Sequence, residues 1–182
     1  MNRALVLWAN RPPAWIRKRA LWALFGATAR AFDRPTPSLA GLSADECLLC
    51  YAQFTRGQVT ERLLDGDNLP AVQERLYRNA HALGRVCRRV FGASTLEDAM
   101  VVGRVLYRLL DIEFQGGEEG VLISRCSFSR FYSGPTCRVM SAMDRGLFAG
   151  LSGDRQLFFT ARITEGQAHC RAQWTAEGDK PR

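Results

Sequence analysis

A chain of 182 residues that is 47% apolar can bury one core, and its length predicts a single domain. No run approaches the roughly 18 apolar residues of a membrane-spanning helix. Six irregularly spaced cysteines are too few for a disulfide scaffold, so they read as reduced thiols of a cytoplasmic protein. The formal charge of +7 is unevenly placed: residues 1–34 hold +6 of it. A nucleic-acid protein spreads its basic surface over the folded domain, so no nucleic-acid partner is expected.

Residues 1–9 are apolar with one arginine, and Pro12-Pro13 breaks them. Residues 15–32 then read as a helix started by Pro13. Trp15, Leu21, Trp22, Leu24, Phe25 and Phe32 are expected on one broad side, with Arg19 and Arg30 on the other. Arg17-Lys18-Arg19 interrupts any signal-peptide core. Residues 1–34 therefore form a basic, tryptophan-rich helical segment suited to peripheral contact with anionic lipid or an acidic protein partner. Residues 34–41 read as a linker, so the segment is expected to be separable from a domain at 42–175.

Ser43 followed by Glu46 makes a capping box for a helix running to about residue 56. Cys47 and Cys50 on it read as core positions, since redox and zinc motifs need surroundings that are missing here. Residues 65–68 are a turn. Residues 69–90 form a second long helix, with Leu76, Leu83 and Val90 as its buried stripe and His81 at an edge. A third helix follows at 94–110, capped by Ser94 or Thr95. Residues 115–120 read as an exposed turn and 121–132 as a strand. A short helix is expected at 135–151. Segments 155–164 and 167–175 alternate in the manner of a β-hairpin, and 176–182 form a flexible tail. The expected class is α+β: N-terminal helices followed by a small antiparallel sheet with one inserted helix.

Reactive side chains crowd residues 120–175. Cys126 falls on a strand, Cys137 opens a helix and Cys170 falls on the hairpin's second arm. A thiol in a first helical turn gains from the unpaired N–H groups there, which predicts a lowered pKa for Cys137. Ser141 and Asp144 follow at i+4 and i+7, so the three share a face and could serve as nucleophile, hydrogen-bond bridge and proton carrier. Arg125 and Arg162 suit a carboxylate. His169 and Cys170 are neighbours on a strand and point to opposite faces, with Cys170 favoured inside near Cys126. No metal ligand set with paired spacing is apparent, and no cofactor is expected.

The pattern Arg125-Cys126-Ser127-Phe128, Cys137, Asp144, Phe159, Arg162-Ile163, Gly166 and Cys170 resembles the L-2-amino-thiazoline-4-carboxylic acid hydrolase family. The resemblance covers the C-terminal third. It implies hydrolytic opening of a small carboxylated cyclic amidine at a C–N or C–S bond. Cys137 or Cys126 would attack the amidine-like carbon and Asp144 would relay protons. Arg125 and Arg162 would hold the carboxylate, with Ser141, Cys170 and His169 around the substrate. The spaced cysteines are also similar to vinyl-reductase-like ligand-binding domains, which implies a non-catalytic sensor with a cysteine-lined ligand or metal pocket. Those domains carry an acid and a further cysteine where this chain has Ala161-Arg162-Ile163, so that likeness ranks second.

Overall fold

The computed structural model describes residues 13–66 and 69–175. The expectations for the apolar residues 1–9, for Asp67 and Asn68 of the turn and for the tail at 176–182 lie outside the described residues. Four helices come first: α1 (Ala14–Ala31), α2 (Ala44–Asp65), α3 (Leu69–Phe91) and α4 (Leu96–Leu109). A strand pair follows, β1 (Ile112–Gly117) and β2 (Gly120–Cys126). After a short 3-10 turn comes helix α5 (Gly134–Ser152), and then the pair β3 (Gln156–Ala161) and β4 (Cys170–Thr175). The class is α+β, and all pairings in the sheet, ordered β1-β2-β4-β3, are antiparallel. No helix among the described residues is long and apolar enough to cross a membrane.

Helix starts follow local chemistry. Ser43 accepts from the Glu46 amide while Glu46 accepts from the Ser43 amide. Thr95 and Asp98 close a second capping box, and Ser133 caps α5 ahead of Pro135. Helix α2 runs past the expected end near residue 56 to Asp65, where Gly66 in the left-handed region stops it. Strand β1 occupies part of the stretch read as a turn, which shrinks to Glu118-Glu119. Its glycines hid a strand whose Ile112 and Phe114 are buried and whose Glu113 is exposed. Strand β2 ends at Cys126, and the backbone then coils into a 3-10 turn at Ser127–Arg130 instead of extending to Tyr132.

Helix α1 is packed into the core, not appended to it. Leu21, Phe25 and Phe32 are fully buried. Phe25 meets Tyr51 edge-on at 5.4 Å between ring centres. The Thr28 hydroxyl lies 3.0 Å from the Tyr51 hydroxyl. Arg75 and Asn79 of α3 donate to the Ala31 and Ala27 carbonyls, which ties down the end of α1. The expected side assignment also changes. Trp15 and Trp22 are exposed and lie with Lys18 and Arg19, because the buried stripe runs through Leu21, Phe25, Thr28 and Phe32.

Helices α3 and α5 pack backbone against backbone. A Cβ on Gly84 would lie 2.3 Å from the Leu147 carbonyl oxygen, and one on Gly146 would lie 2.2 Å from that of Tyr77. Only glycine lets the two backbones come this close. The sheet covers α4 and α5 with Phe114, Ile123, Leu157, Phe159 and Ala172, all buried. Between this sheet face and the helices lies the cavity described next.

Candidate functional site

Every helix and strand named above contributes to one interior cavity of about 110 Å³. Leu24, Leu83, Ile112, Ile123 and Phe159 make its walls largely apolar. Its polar groups are the thiols of Cys126, Cys137 and Cys170, with Tyr51, Tyr107, Tyr132, Ser141, Asp144 and Arg162. The three cysteines thus line one space, although they come from a strand end, a helix and a second strand.

Among the described residues, Asp144 is the only carboxylate lining the cavity. It accepts a short hydrogen bond from the Tyr107 hydroxyl of α4. Burial pushes its pKa up to about 6, against the pull of the Tyr107 hydrogen bond and the Arg162 charge. The same burial and the Asp144 charge push the Tyr107 phenol well above its ordinary value.

Burial also decides the thiols. Cys126 is pushed up to about 12, and Cys137 and Cys170 are raised as well. This corrects the expected lowering at Cys137. Its amide already donates to the Ser133 carbonyl at 2.9 Å, so it sits one step beyond the free N–H groups of the helix start. Burial outweighs the help of Thr164 and Arg162, and the Asp144 charge opposes thiolate further. The Ser141 hydroxyl donates to the Cys137 carbonyl at 2.7 Å and also lies close enough to the thiol to favour its thiolate weakly.

Two expected binding residues lie elsewhere. Arg125 is on the outer sheet face, paired with Glu113 at 3.0 Å and Asp111 at 3.2 Å. Adjacent strand residues face opposite ways, so placing Cys126 inside turns Arg125 out. His169 lies in the bend just before β4, exposed and away from the cavity. Arg162 does line the cavity. Strand alternation alone would send it outward with Phe158 and Thr160, but β3 ends at Ala161 and a 3-10 turn at Ile163–Glu165 redirects the chain. Its guanidinium lies 5.1 Å from the Phe159 ring centre, and its nearest carboxylate contact is Glu165 at 3.9 Å.

Two buried polar atoms stand out. Arg162 Nε and Thr164 Oγ1 complete no hydrogen bond of ordinary geometry with any described group. The Thr164 hydroxyl is close enough to the Cys137 sulfur to favour its thiolate. Buried polar atoms are normally paired, so the open Nε of Arg162, a residue lining the cavity, leaves a donor for an acceptor from outside the chain. Among the described residues, no three His, Cys, Asp or Glu side chains gather as metal ligands.

The sequence reading missed Tyr107 and Thr164. A signal for Tyr107 was present, because Met100, Gly103 and Tyr107 recur at i, i+3 and i+7 on the buried face of α4. Thr164 had none, since its burial depends on the turn that follows β3. No family model matches the chain, and no curated protein or solved structure matches it either.

Proposed function

We propose that this protein is a small-molecule binding module of the sensor type. Its ligand has a compact, mainly apolar body and one carboxylate or carbonyl group. The observation that carries the reading is Arg162, whose buried Nε has no hydrogen-bond partner among the described groups and which lines a cavity with mainly apolar walls. Pockets of this kind take affinity from apolar walls and orientation from a few polar groups. A cavity of about 110 Å³ has room for several waters or a ligand on the order of a small ring. Thiols raised by burial stay protonated near neutrality and act here as soft, adaptable wall atoms.

A second reading is the cysteine hydrolase implied by the sequence resemblance. Asp144 favours it, because a carboxylate poised at about 6 beside Cys137 suits proton transfer near neutrality. In that reading Cys137 adds to the C=N carbon of a cyclic amidine as Asp144 takes the thiol proton. Asp144 returns that proton to the ring nitrogen or sulfur as its bond to this carbon breaks. Water then releases the product from Cys137, and Arg162 holds the carboxylate.

Calorimetric titration with 2-aminothiazoline-4-carboxylate and with ring carboxylates of similar size separates the two, when the same mixtures are followed by chromatography. Binding without turnover, weakened about tenfold or more in Arg162→Met, supports the sensor. Ring opening that disappears in Cys137→Ala replaces it with the hydrolase. No binding of any small ring carboxylate or carbonyl compound rejects both.

A further inference from the structure

The exposed face of α1 is independent of the cavity's chemistry. Trp15, Lys18, Arg19 and Trp22 recur at i, i+3, i+4 and i+7, so two indoles bracket two cations on one face. The indoles are 68% and 62% exposed, whereas most tryptophans are largely covered. The same four residues line a surface groove against residues 36–40. A second groove begins at Arg19 and Trp22 and continues through Arg30 to Val86 of α3. Val86 and Val90 are also exposed, and Arg89 lies beside them on the helix. Among the described residues, neither groove is lined by a carboxylate. Arg19, Arg30 and Arg89 have no ion-pair partner among the described residues. Lys18 has Glu46 within electrostatic reach.

We infer that this face docks on an anionic lipid bilayer. Its charge calls for a negative partner. Its indoles call for a partner that also offers an apolar layer just beneath that charge. An acidic protein surface supplies the first and leaves both indoles against charged groups. A bilayer interface supplies both, with phosphates and carboxylates at the level of the cations and the acyl boundary below them. The docked face lies over the α1–α3 wall of the cavity, since Leu83 lines both the cavity and the second groove.

The test is co-sedimentation of the full chain with vesicles of phosphatidylcholine containing phosphatidylserine, against phosphatidylcholine alone. Binding is expected only with the anionic lipid and is expected to fall with added salt. Replacing Lys18 or Arg19 with Gln should weaken it by roughly fivefold each. Trp15→Ala/Trp22→Ala should weaken it by about tenfold or more. Trp15, Arg19 and Trp22 are exposed and Lys18 is half-buried, and circular dichroism checks that each variant is folded. No binding to anionic vesicles, equal binding to both lipids, or unchanged binding in the tryptophan variant overturns the inference. So does binding to polyglutamate in the absence of binding to vesicles.

Discussion

The Tyr107 hydroxyl donates to the Asp144 carboxylate inside the core, joining α4 to α5 across 37 residues of chain. This contact holds the one carboxylate of the cavity in place and keeps its pKa from rising further. It also defines how the molecule responds to pH.

Asp144 titrates at about 6 in the folded chain against an ordinary value of 3.8. The folded state therefore binds the proton more tightly. The stability that this group contributes is complete below about pH 4 and is lost as pH rises through about 6. Two units correspond to on the order of 3 kcal/mol. Asp144→Asn, which stays neutral, should gain on the wild type by that order between about pH 4 and 7. Urea unfolding across a pH series measures the difference. In Tyr107→Phe the carboxyl should titrate above 6, because the hydrogen bond that lowers it is gone.

The thiols should be slow. Cys126, Cys137 and Cys170 are all raised by burial, so each should react with iodoacetamide more slowly in the folded chain than after unfolding in urea. Cys126 should be the slowest of the three at about pH 8, with its pKa near 12. Labelling resolved by mass spectrometry gives the order. A folded-state rate for Cys137 above that of the unfolded chain would favour the hydrolase.

Helix α1 should be indispensable. Phe25 is fully buried between α1 and α2, so Phe25→Ala should cost about 3–5 kcal/mol. Trp22→Ala on the same helix should change stability by less than about 0.5 kcal/mol, because the indole is exposed. Deleting residues 1–34 removes Leu21, Phe25 and Phe32 together and should abolish cooperative melting, which circular dichroism would record.

Gly146→Ala sets helix propensity against packing. Alanine favours an isolated helix by about 1 kcal/mol. Here its methyl meets the Tyr77 carbonyl, a backbone atom that cannot rotate away. Forcing α3 from α5 should give a net loss of about 1–3 kcal/mol. A fall in melting temperature is the measurement. Unchanged stability would mean that the two helices slide apart without cost.

The chain by itself determined the elements whose signals are local. Ser43 with Glu46, Thr95 with Asp98, and Ser133 before Pro135 each settle a helix start within one turn, because cap and amide are three residues apart. A strand through Cys126 and the hairpin that holds Cys170 were also legible, though not the strand's end at Cys126, since alternation is a nearest-neighbour property. Tertiary structure decided the rest. It set the pKa of Cys137, because desolvation depends on every element that closes over the thiol and here exceeds the local pull of the helix end. It turned Arg162 inward through a break in β3, and it sent Arg125 out to Asp111 and Glu113. It chose Tyr107 as the partner of Asp144 and left Trp15 and Trp22 in solvent, though their residue types suited burial equally well. A side chain's surroundings are a sum over distant segments, and no window of one or two turns contains that sum.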